Sequence, residues 1–197
     1  TTMCSICKKS CEITDSIAVK ELVLNNEPIH AQLDELISQC LSTLKAGGKV
    51  IFAGNGGSFA DAQHLSAEFT SRFMFDRAPL ASIALGTNSS AMSAIGNDYG
   101  YDQVFARELT AIGKSDDIFI PITTSGNSEN IISAINISQS LNIETICLTG
   151  NGGGMIKDIC SCIIVPSKAT ERIQECHILI GHIVCAIVEE EYFKPTT

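Results

Sequence analysis

Five short apolar runs punctuate the middle and end of this chain: Lys49 to Ala53, Ala81 to Leu85, Asp117 to Ile122, Ile143 to Thr149 and Cys162 to Pro166. Each has strand length, and helix-length stretches separate most of them. Because nearly every position in a run is apolar, the strands should be covered on both faces, the condition of a parallel sheet between helices. The expected fold class is therefore α/β, a three-layer, doubly wound parallel sheet. Before the first run, Leu33, Leu36, Ile37, Cys40, Leu41 and Leu44 recur at the helical period. Pro28 should start that helix and Gly47-Gly48 end it. A shorter helix is expected around Ser16 to Asn25. Glu171 to Tyr192 reads as a long amphipathic C-terminal helix whose apolar arc is wide for one sheet face, which points to a subunit contact. No repeat, low-complexity segment or linker divides the chain. One domain over 1–197 is expected, with an N-terminal helical segment to about 46 and an α/β core over about 47–192.

Composition narrows the partners. The 197 residues are 45% hydrophobic, enough for one substantial core. Thirteen Lys+Arg against twenty-two Asp+Glu give a net charge of -9, and the basic residues are scattered, which argues against nucleic acid as a partner. No run approaches the roughly 20 apolar residues of a membrane span, and TTMCSICKKSCEITD lacks a signal-peptide core. A cytoplasmic protein without a membrane partner is expected. Nine cysteines are an odd number. Cys147, Cys162, Cys176 and Cys185 sit among aliphatic residues as small buried hydrophobes, so free thiols in a reducing compartment fit. Cys4, Cys7 and Cys11 form C-x-x-C-x-x-x-C, a pattern able to hold a metal, but no second ligand cluster follows at zinc-finger spacing. An ordinary N-terminal helix is the expectation there.

Two of the runs lead into polar, glycine-bearing loops ahead of helices, where open α/β sheets bind ligands. The first is Gly54-Asn55-Gly56-Gly57-Ser58, whose glycines let backbone N–H groups approach an anion. The second is Thr123-Thr124-Ser125-Gly126-Asn127-Ser128, where hydroxyls join the free N–H groups of a helix start. Neither matches the P-loop or the dinucleotide glycine pattern. Hydroxyls and amides without lysine suit a single phosphomonoester, as on a sugar phosphate; ordinary helix caps are the competing reading. Asn151 to Gly154 lacks hydroxyls and reads as a plain turn.

His64 and Glu68 lie four residues apart, on one face of the helix opened by Ser58, a spacing that can chelate a divalent ion or form a simple surface pair. His182 lies in the apolar stretch HILIGHIVCAIVEE, where a histidine is more often a hydrogen-bonded core residue than a ligand. Gln174 and His182 are separated by roughly 12 Å along one helix. Either their side chains reach toward each other, or different subunits supply them to one ion.

GNGGSFADAQHLSAEFTSRF, SAIGNDYGYDQVFAREL, TTSGNS and RIQECHILIGHI, in that order, resemble the phosphoheptose isomerases of the sugar isomerase (SIS) fold, from about Gly48 to Glu191. The resemblance implies a single SIS domain with a five-stranded parallel sheet, and a homotetramer with intersubunit active sites. It implies conversion of sedoheptulose 7-phosphate to D-glycero-D-manno-heptose 7-phosphate, the first step toward nucleotide-activated heptose for surface polysaccharides such as lipopolysaccharide or capsule. It puts one zinc per subunit on His64, Glu68, Gln174 and His182, with Glu68 and His182 also the acid/base pair. Substrate contacts fall on Asn55, Gly56, Gly57, Glu68, Asn97, Asp98, Thr123, Thr124, Ser125, Ser128 and Gln174, with Ser58 and Arg72 near the sugar phosphate. The family often has Ser where Thr123 stands, which keeps the hydroxyl. Ser167-Lys168-Ala169-Thr170 departs from the acidic stretch common in relatives. Aldose-ketose exchange needs a base beside carbon and an acid beside oxygen; Glu68 is expected to carry the C1 proton to C2 and His182 the oxygen-bound proton. Two competing readings use the same fold: a non-catalytic binder of the replication initiator protein, and an isomerase or sensor for another sugar phosphate.

Overall fold

The computed structural model describes residues 5–195. Two helices lead into the sheet. The first, α1 (Ser5–Leu24), joins the helix expected around the N-terminal cysteines and the one expected around Ser16 to Asn25 into a single element, and only Val23 of it is buried. It is tied down by polar contacts instead: the Ser16 hydroxyl donates to Glu175 at 2.6 Å, and Arg172 donates to Glu12 at 2.7 Å. Cys7 and Cys11 are exposed on α1, and Cys4 lies outside the described residues. The second, α2 (Glu27–Lys45), starts where Asn26 accepts a hydrogen bond from the Ile29 N–H at 3.0 Å, with Pro28 in the first turn. Pro28 lacks the N–H that a first turn leaves unpaired anyway. The helix buries Ile29, Leu33, Leu36, Ile37, Cys40 and Leu44.

The sheet comprises β1 (Val50–Gly54), β2 (Ser82–Ala84), β3 (Ile118–Ile122), β4 (Glu144–Gly150) and β5 (Ser161–Val165), all pairs parallel, in the order β2-β1-β3-β4-β5. The edge strand β2 is shorter than its apolar run. Ala81 and Leu85 still bond to β1, since Val50 N–H donates to Ala81 and Leu85 N–H to Phe52. Between the strands run α3 (Gly57–Thr70), α4 (Ser89–Tyr99), α5 (Val104–Ile112) and α6 (Glu129–Ser140), and α7 (Thr170–Phe193) ends the fold. Short 3-10 turns cover Tyr101–Gln103, Asn151–Gly153 and Ile156–Asp158.

Strand residues alternate between two cores. Val50, Phe52, Ile118, Ile120, Ile122, Ile146 and Leu148 face α2, α3 and α7. Ile51, Ala53, Phe119 and Cys147 face α5 and α6. Each large aliphatic or aromatic side chain so buried contributes about 1.5–3 kcal/mol, so truncating Phe52, which touches the α3 layer through Phe69, would loosen the helix that carries the histidine motif. Cys147, Cys162, Cys176 and Cys185 are buried, as their surroundings in the sequence suggested. Asp117 pins the entry to β1 and β3, accepting from Lys49 N–H at 2.9 Å and Lys49 Nζ at 2.7 Å. On the α2 side, α3 and α7 cross at Gly181, where a Cβ would overlap the Leu65 side chain. Among the described residues, no helix is long and apolar enough to cross a membrane.

Candidate active site

The strand order reverses between β1 and β3, and the crevice beyond the carboxyl ends of those two strands is where an open α/β sheet takes its ligand. Both glycine-bearing loops rise there. Gly56 has φ 57° and ψ -119°, a conformation that L side chains rarely adopt. At Gly57, a Cβ would meet the Gln174 amide at 2.5 Å, so the absence of a side chain lets α7 come up against the start of α3.

Gly56, ahead of α3, has no side chain to cap with, and Ser128, ahead of α6, makes no side-chain cap hydrogen bond. The Ser128 hydroxyl instead lies 3.2 Å from the hydroxyl of the buried Thr123, and Ser125 Oγ accepts from the Asn127 N–H at 3.1 Å. At the start of α3 the Ser58 N–H is already bonded to the Asn55 carbonyl at 2.9 Å, whereas the start of α6 has no side-chain cap from Ser128 and leaves first-turn N–H groups for another acceptor. Asn55 and the buried Asn130 exchange two amide hydrogen bonds, each 2.8 Å, and Tyr101 donates to Asn55 at 3.1 Å. That exchange ties the first loop to the start of α6. Asn130 and Tyr101 escaped the sequence reading; Asn130 is the second residue of α6, where nothing marks an amide as functional.

His64 and Glu68 project from α3 toward His182 on α7. The two Nε2 atoms are 2.9 Å apart, His64 Nε2 is 3.9 Å from Glu68 Oε1, and one donor atom from each of the three residues falls within 4.8 Å of the others. The Phe73 ring stacks on His182, centroids 5.4 Å apart and planes 13° from parallel. Two imidazoles and a carboxylate make a donor set typical of zinc. Their donor atoms converge closely enough that the three residues fit a metal ion.

Gln174 stands at the other end of the site, its amide over Gly57 at the start of α3. Burial pushes the Asp61 carboxyl up, opposed by the Gln174 amide and the His64 charge, and Asp61 Oδ2 is buried without a partner. Gln174 and His182 both lie on the one helix α7, eight residues and therefore roughly 12 Å apart along its axis. Asn97 and Asp98 occupy an exposed face of α4, bonded to each other at 2.8 Å, and Arg72 is exposed on the loop after α3. Within one chain, these three are not drawn into the histidine cluster by any hydrogen bond among the described residues. Ser58, by contrast, is buried at the start of α3.

The comparisons with known proteins agree with one another. The family model described as "SIS domain" matches residues 18–150. The chain is similar to phosphoheptose isomerase 2 of Campylobacter jejuni, 52% identical over 91% of this chain and 90% of that protein. It is similar to the phosphoheptose isomerase of Aneurinibacillus thermoaerophilus, 50% identical over 92% of each. Among solved structures, a phosphoheptose isomerase from Francisella tularensis superposes with a TM-score of 0.90 at 37% identity, covering 95% of this chain and all of the other.

Proposed function

The chain belongs to the SIS-domain family and, within it, to the phosphoheptose isomerases, and from that premise we propose how its residues interconvert sedoheptulose 7-phosphate and D-glycero-D-manno-heptose 7-phosphate. It is an isomerase acting in heptose metabolism. The observation that carries the assignment of roles is the convergence of His64, Glu68 and His182 on α3 and α7.

The phosphate is held by the hydroxyls of Thr123, Thr124, Ser125 and Ser128 with the start of α6, and the sugar lies along Asn55, Gly56 and Gly57 toward the histidine cluster. No lysine is needed, since partial charge at a helix start and several neutral donors suffice for one phosphomonoester. Ser58, Arg72, Asn97 and Asp98 complete the substrate contacts. Glu68, with one carboxylate oxygen free, takes the proton from C1 of the ketose and returns it at C2. His182 moves the proton between the two neighbouring oxygens, completing the exchange of carbonyl and hydroxyl through a cis-enediol. His64, Glu68 and His182 would hold zinc, which supplies Lewis-acid polarisation of the carbonyl when bound. Gln174 joins them from a neighbouring subunit of a homotetramer, because within its own chain its amide lies over Gly57, eight helical residues from His182. Eight free thiols among the described residues suit a cytoplasmic enzyme.

Proton NMR of the protein with sedoheptulose 7-phosphate in heavy water tests the activity. The aldose should appear with solvent deuterium at C2, and chelation should stop it. Glu68→Gln should fold normally and lose carbon-proton exchange by about 100- to 10,000-fold. Near-normal exchange in that variant would sink the assignment of the base.

A further inference from the structure

A buried ion pair lies behind the histidine cluster. Arg77 Nε donates to Glu189 at 2.8 Å, with side chains only 3% and 1% exposed. The Glu189 carboxylate also accepts from three successive backbone N–H groups, those of Phe73 at 2.8 Å, Met74 at 2.7 Å and Phe75 at 3.3 Å. The guanidinium of Arg77 donates onward to the carbonyls of Glu68 at 2.8 Å and Phe69 at 2.7 Å.

Stability alone gives little reason for two charges here, since desolvation largely offsets their attraction and a packed hydrophobic pair does as well. Direction is what the ions add. Carbonyls in the last turn of α3 have no partner within the helix, and a guanidinium satisfies two of them while favouring the negative end of the helix dipole. One of the two belongs to Glu68. The carboxylate meanwhile gathers the loop that carries Phe73, whose ring lies on His182. His182 and Glu189 are seven residues apart on α7 and therefore share a face, two turns apart. Three segments thus meet through one ion pair: the end of α3, the 71–77 loop and the second half of α7.

We infer that Arg77 and Glu189 are positioning residues that fix Glu68 through its carbonyl and the His182 ring through Phe73. The inference rests on the roles given above to Glu68 and His182, but it is tested on geometry that needs no substrate. The chain has four histidines, so histidine-labelled, metal-free protein gives few ring-proton signals, and His182→Gln identifies the one that matters. The stacked Phe73 ring displaces that signal upfield. Phe73→Leu defines the unstacked position. Arg77→Lys and Glu189→Gln are expected to move the signal toward that position. In the same variants, zinc affinity and kcat should each fall about 10- to 100-fold, as outer-shell changes do, with KM within about threefold. Where a single variant does not fold, Arg77→Met/Glu189→Leu replaces it, since it leaves no unpaired buried charge. Folded variants with the ring signal in place and zinc affinity within about twofold of the parent would make the pair a structural cap only and overturn the inference. A parent protein inactive on sedoheptulose 7-phosphate would overturn the activity assignment instead, with ring signal and zinc affinity still deciding this one.

Discussion

The two halves of α7 do opposite work. Its first half, from Arg172 to His177, is fastened to the rest of the molecule. Arg172 donates to Glu12 at 2.7 Å and to Glu175 at 2.6 Å, the Ser16 hydroxyl holds the Glu175 carboxyl below its usual range, and His177 is fully buried with Nε2 2.9 Å from the Thr149 carbonyl. Its second half turns His182 and Glu189 toward α3 and the loop beyond it. Two histidines five residues apart on one helix therefore differ in kind. Burial pushes the His177 imidazole down to about 4, which makes it a neutral core group. His182 is half-buried, opposite another imidazole. A rule that puts histidine among aliphatic residues in the core describes His177 and misdescribes His182.

The sharpest way to separate the halves is acid. The His177 pKa is about 4 folded against 6.5 unfolded, so below pH 6.5 the unfolded chain takes up the proton first. Its contribution is complete above 6.5, declines as pH falls toward 4 and is then exhausted, a difference of about 3 kcal/mol. Urea unfolding should therefore show the parent losing about 3 kcal/mol more than His177→Gln between pH 7 and pH 4; equal losses would mean that the buried histidine carries no such linkage. A smaller effect belongs to the crossing with α3. Gly181→Ala adds a methyl where Leu65 already sits, and although alanine is the better helix former, the overlap should cost about 1–2 kcal/mol net. It should also weaken zinc binding, because the helices that carry His64 and His182 are pushed apart. A stabilised protein with unchanged zinc affinity would mean the crossing has room to spare. The smallest effect is expected at the fastened end. Glu12→Gln removes one exposed partner of Arg172 and should lower the thermal midpoint by less than about 4 °C, with kcat unchanged.

The fold was legible because its signals are local. Near-continuous apolar runs marked all five strands, and Pro28 with Gly47-Gly48 bounded α2 to within a residue or two. The helix expected around the N-terminal cysteines is present, but its continuity with the stretch from Ser16 was not legible, because α1 buries almost nothing and no periodic stripe records its length. In the site, motif spacing brought His64 and Glu68 together, and resemblance added His182 and Gln174. Arg77, Glu189, Phe73 and Asn130 were not legible. Each works through a contact spanning many residues, up to 116 in the bond from Phe73 N–H to Glu189, and no local pattern distinguishes them from a surface arginine, a helix-end acid or a core aromatic. The position of Gln174 is the converse: its one-helix distance from His182 follows from 1.5 Å per residue, and that constraint alone raises the question of a second subunit.

The paired amides of Asn55 and Asn130 bear on how fast and how tightly this site takes its ligand. They join the loop after β1 to the helix after β3 before any sugar phosphate arrives. A ligand therefore meets a rim whose backbone is already ordered, and the free energy of its contacts is not consumed in arresting loop motion. Binding to such a rim should need little rearrangement, and encounter with the phosphate should be limited more by diffusion and orientation than by closure of the loops.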